Sequence, residues 1–134
     1  MTVEQIDERW QARRQAWIAL VQELVDQVQQ WAGEENWSLH RENKQIAEDV
    51  AGAYEVPALR IRNVSGEVRL DPIGLHIVGA EGRVDVEAWP SLNRVKLLRR
   101  GGKWIIMTDS NVPLRDEWGR DAFVRLVNDL LASA

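Results

Sequence analysis

Val3, Trp10, Trp17, Leu24 and Trp31 recur at intervals of seven residues. Seven residues is close to two helical turns, so these side chains form one stripe along a single helix. Ile6, Arg13, Leu20 and Gln27 occupy the partner positions of the repeat, and two of those four are polar. Val21, Val25 and Val28 widen the apolar stripe in the second half. A wide stripe suits a helix lying on a sheet better than a coiled-coil seam. Thr2 and Gln5 have capping-box spacing, and Glu4, Asp7 and Glu8 suit the positive end of a helix dipole. Gly33 is the expected stop. The helix is therefore read over about 3–32, roughly 45 Å long at 1.5 Å per residue. A chain of 134 residues folds into a body only about 36 Å across. The helix must overhang that body, follow a curved sheet or pack on a second copy. Arg9, Arg13 and Arg14 beside Trp10 make its first half the more exposed part.

From about 37 to 108 the periodicity changes to two. Trp37, Leu39 and Arg41 alternate with Ser38, His40 and Glu42, and Leu59 and Ile61 alternate with Arg60 and Arg62. Val68 and Leu70 alternate with Glu67, Arg69 and Asp71, and Val84, Val86 and Ala88 with Arg83, Asp85 and Glu87. Such patterns mean strands with one buried and one wet face, which favours antiparallel pairing. Asn63-Val64-Ser65-Gly66, Ala80-Glu81-Gly82 and Gly101-Gly102 fall between alternating runs, and the double glycine suits a two-residue hairpin. Asp71-Pro72 and Trp89-Pro90-Ser91 mark expected strand ends. The stretch 46–54 has no clear period. Residues 71–79 read as one strand, bent or bulged at Gly74. A last helix is expected over about 116–131, with Phe123, Val127 and Leu130 on one face. The predicted fold is a single α+β domain, 1–134: a long N-terminal helix on a curved antiparallel meander of about six strands, closed by a C-terminal helix.

Composition narrows the chemistry. Without cysteine there is no disulfide, thiolate nucleophile or cysteine metal site. The acidic N-terminal segment lacks the form of a secretory signal, and no apolar run approaches the roughly 20 residues that span a bilayer. Both favour a cytoplasmic protein with no membrane role. A net charge of −4 gives no general attraction to nucleic acid. Seven Trp stand against one Phe and one Tyr. Each buried indole needs a partner for its N–H, so some are expected at a core boundary or an interface.

No catalytic motif emerges. Arg94, Lys96, Arg99, Arg100 and Lys103 form a basic hairpin between Trp89 and Trp104, which is a candidate anion or nucleic-acid site. The competing reading is a solvated hairpin whose Arg94 and Lys96 pair across strands with Asp85 and Glu87. His76 with Asp85 or Asp71 is a candidate small-ligand or hydrolase-like site, but neither His76 nor His40 has zinc-ligand spacing. Glu42-Asn43-Lys44 and Asp71 hold the acid and lysine of a metal-dependent nuclease in the wrong order. No cofactor or metal is implied. The leading expectation is a non-catalytic binding or assembly module acting through protein–protein contacts. Its partner is a homodimer mate or another protein, and Trp10, Arg13 and Trp17 are the interface candidates.

Overall fold

The computed structural model describes residues 1–132. Helix α1 spans Val3–Glu34. Six strands follow: β1 Ser38–Glu48, β2 Gly52–Asn63, β3 Gly66–Gly74, β4 Gly82–Trp89, β5 Arg94–Arg100 and β6 Lys103–Thr108. Helix α2, Arg120–Ala132, ends the described chain. The strands form one antiparallel sheet in sequence order, so the α+β meander read from the sequence is the fold.

The capping box is formed, with Thr2 Oγ1 accepting from the Gln5 N–H and Gln5 Oε1 from the Thr2 N–H. Gly33 is not the stop, because α1 runs past it. Asn36 ends the helix with φ 61°. The Trp37 N–H reaches the Ala32 carbonyl and the Asn36 N–H reaches that of Gly33, both at 3.0 Å. This is the paired closure of a left-handed cap, which asparagine tolerates almost as well as glycine. The stripe is graded along its length. Val3 is 74% exposed and Trp10 half-buried, whereas Trp17 and Leu24 lie in the core. At about 48 Å for its 32 residues, α1 overhangs at its N-terminus.

The turns follow their chemistry. Gly101 and Gly102, at φ 58° and 74°, join β5 to β6. Asn63 pairs with Gly66, and Asn63 Oδ1 takes the Ser65 N–H at 2.7 Å. Trp89–Pro90 ends β4 as expected. Asp71-Pro72 does not end β3, which runs on to Gly74 with its register shifted between Pro72 and Gly74. Proline is tolerated because the β2 ladder stops at Leu59–Leu70, so no neighbour on that side needs its missing N–H. The strand expected over 71–79 ends at Gly74, and residues 75–81 connect to β4. Residues 46–54 resolve into the far end of β1, a turn, and the start of β2. That hairpin overshoots β3, and its tip is fixed from two sides. The Glu48 carboxylate accepts the Tyr54 hydroxyl and the N–H groups of Leu75 and His76. Arg14 Nη1 donates to the Ala51 carbonyl at 2.8 Å.

Both helices lie on one face of the sheet. Val68, Leu70, Val84, Val86 and Leu97 meet Val21, Leu24, Val25 and Val28 of α1, with Phe123 and Val127 of α2 in the same core. Trp17 sits directly on Gly82, where a Cβ would lie 2.2 Å from the indole. Helix α2 begins at Arg120, later than the expected 116. Trp118 is already docked on Trp31 and Phe123, and the Gly119 carbonyl accepts the first helical N–H, from Phe123.

Candidate binding surface

The face of the sheet turned away from the helices carries alternating charges, and the antiparallel register places opposite signs side by side. Asp85 lies opposite Lys96, and Glu87 opposite Arg94. Asp85 alternates with core Val84 and Val86, yet it is only 3% exposed because arginine side chains cover it. Arg83 Nε and Nη2 donate to its two oxygens at 2.7 and 2.9 Å. Arg94 lies 3.5 Å away and also binds Asp109 at 2.9 Å. The hydrogen bond to Asp85 raises the Arg83 pKa against the opposing effect of burial. Glu67, 6% exposed, takes Arg62 Nε and Arg69 Nε at 2.9 Å each. Burial alone would raise its pKa, but those two guanidinium groups hold the carboxyl below its ordinary value. Lys96 Nζ reaches Asn111 at 2.8 Å, and Arg69 covers the Trp89 ring. Lys44 and Asp71 meet at 2.6 Å as an ion pair.

The candidates separate on this frame. Trp17, 2% exposed, is core and cannot serve as an interface residue, because its stripe position faces the sheet. Trp10 stands edge-on to His76 at 5.2 Å, with the Arg13 guanidinium over its ring at 4.4 Å. His76 therefore sits on the α1 side, while Asp85 lies on the far face. The structure does not bring those two together. The five basic residues of the β5–β6 hairpin do not form one cluster either. Arg94 and Lys96 are tied on the far face, and Arg100 Nε donates to the Gly79 carbonyl at 2.8 Å. Arg99 falls on the opposite parity, with Val95 and Leu97, and lines a groove on the helix side whose rim Lys103, opposite Arg100, reaches at the strand edge. Among the described residues no group of three His, Cys, Asp or Glu could hold a metal, and no helix is long and apolar enough to cross a membrane.

That groove has a volume of about 570 Å³. One wall is α1, from Glu23 past Gln27 to Trp31, a length of about 12 Å. The floor is β6 from Lys103 to Ile106, and the other wall is Leu114 with Asp116–Gly119. Trp104 packs against Trp17 at 5.9 Å and marks one end. Trp118, 5.7 Å from Trp31, marks the other. Among the described residues the buried Trp118 Nε1 and Arg99 Nε atoms find no hydrogen-bond partner. The floor is also an incomplete sheet edge. The Thr108 N–H binds the Val112 carbonyl at 2.9 Å, and the Ile106 carbonyl accepts from the Leu114 N–H at 2.8 Å. Backbone direction alternates along an antiparallel strand, so Trp104, two residues before Ile106, points its own N–H and C=O the same way. By then the covering segment has turned off towards Trp31, leaving the edge open.

The sequence pattern did not single out Trp31, Trp118, Glu23 or Gln27 as site residues. Trp31 lies in the apolar stripe, and the others become neighbours only through the fold. The surplus of tryptophan pointed to a half-buried surface without locating it. No family model, curated protein or solved structure matches this chain.

Proposed function

We propose that this protein is a non-catalytic binding module that receives an extended segment of a partner protein in the groove between α1 and β6. The observation that carries this reading is the coincidence of an uncovered strand edge at Trp104 with tryptophan side chains lining both ends of the same groove. Main-chain hydrogen bonds at an open edge supply affinity, and flanking pockets take alternate side chains of the added strand. Half-buried tryptophans are the residues on which interfaces concentrate their binding energy. The open stretch is short and lies between a helix and a loop. A single strand fits there, whereas the sheet of a second copy would meet both walls.

A phage-displayed dodecapeptide library selected on the whole chain tests this. The selected peptides are then added to nitrogen-labelled protein while the indole N–H signals are followed by NMR. The signals of Trp31, Trp104 and Trp118 should shift, and that of Trp89 on the far face should stay. Failure to enrich any peptide, or shifts confined to Trp10 or Trp89, would overturn the proposal. Light scattering at micromolar concentration covers the remaining occupant: a dimer that the selected peptides dissociate would replace the foreign segment with a second copy.

A further inference from the structure

Arg99 differs from the other arginines of β4 and β5. Arg83 and Arg94 have carboxylate partners and Arg100 has a carbonyl. Arg99 has neither among the described residues: its guanidinium lies over the Trp104 ring at 5.3 Å, and its Nε is buried with no partner there. Lys103 beside it makes no ion pair among the described residues. Glu23, on the α1 wall, is exposed and also unpaired, so it is not the missing counter-ion.

A guanidinium stacked on an indole is held in plane with its N–H edge free. That is the geometry which takes a carboxylate in two parallel hydrogen bonds. A carboxylate brought to a partly dehydrated cation supplies the charge-assisted hydrogen bonds that its burial calls for. Register says where that carboxylate comes from. Arg99 pairs with Trp104, and both face the helix side. A strand added at the open edge would place its residue opposite Trp104 next in the same row, with its side chain on that face. We infer that the groove selects an extended peptide with an Asp or Glu side chain opposite Trp104, and that Arg99 reads it. This rests on the peptide-groove reading above.

The test uses peptides from the selection, synthesised with amidated C-termini, and calorimetry on the whole chain. Replacing the acidic residue by its amide should weaken binding to the natural chain about tenfold or more, and should change nothing on Arg99→Gln. Glu23→Gln, which removes a like charge from the wall, should tighten binding about two- to fivefold. Thermal melts confirm that each variant is folded. Equal loss on the natural chain and Arg99→Gln, or no loss on either, would overturn the assignment to Arg99. Binding that requires a free C-terminus would overturn it in favour of a chain-end carboxylate. Binding unchanged by Trp118→Ala would instead mean that the peptides miss the groove, which sinks the parent reading separately.

Discussion

The two faces of the sheet are closed by different forces. The helix side is closed by shape: Trp17 lies on the bare backbone of Gly82, and aliphatic side chains of α1 fill the space beyond it. Among the described residues neither helix packs on the far side, where Leu98 and Met107 are the buried apolar residues and the chain at 109–113 reaches Arg94, Lys96 and Met107. Its two most buried carboxylates, Asp85 and Glu67, are sheltered by the arginines that neutralise them. At the β6 edge of the helix side lies the groove, where neither solution is completed. Its apolar rings are half-covered, and among the described residues Arg99, Lys103, Glu23 and Glu117 make no ion pair. Charges are matched on one face and unmatched in the groove, and that contrast is what the proposed peptide site would complete.

Substitutions at each place measure the contrast. Trp17→Ala removes the largest contact of the apolar side and should cost about 4 kcal/mol of unfolding free energy in urea. Asp85→Asn leaves Arg83 and Arg94 facing a neutral group and should cost about 3 kcal/mol. A loss under about 1 kcal/mol would show that the far lattice is ordinary surface pairing. Glu67→Gln should cost about 2 kcal/mol at neutral pH, with a definite pH dependence. The Glu67 carboxyl sits below its ordinary value in the folded chain. Its contribution is therefore present above about pH 4.3 and is lost as pH falls through the lowered value. Urea melts across the acid range should show variant and natural chain converging there. Arg99→Gln loses only a stacking contact and should change stability by less than about 1 kcal/mol. A large loss would make Arg99 structural and blur the distinction.

How much of this was legible in the chain depends on how local the cause is. The seven-residue stripe gave α1, because a helix face is determined by sequence spacing. Alternation gave the strands and their partners: the expected pairing of Arg94 and Lys96 with the strand of Asp85 and Glu87 follows from parity once neighbours are antiparallel. Pro72 misled because its tolerance inside β3 depends on where β2 stops pairing, which is not a property of residues 71–74. Residues 46–54 lacked a period because they hold a strand end, a turn and a strand start in nine positions, too few of each to show alternation. Gly74 was readable as a bulge. The reason for its missing side chain, a Glu48 oxygen 2.8 Å from where a Cβ would stand, was not. The groove was least visible, since its walls come from positions as distant as Glu23 and Trp118. One clue was available: Arg99 shares the apolar parity of Val95 and Leu97, a cation on the wrong side of its strand.

The fastening of the β1–β2 tip sets apart two bends that look equivalent on paper. Residues added between Gly101 and Gly102 would meet no packed side chain, since a Cβ at either position has nothing within 4 Å, and would cost only the tight two-residue turn. Residues added between Asp49 and Ala51 would unhook the guanidinium of Arg14 and drag on Glu48, which holds Tyr54 and the chain at Leu75 and His76 together. A reporter group belongs at the first bend. The second is a clasp, and lengthening it would open one corner of the fold.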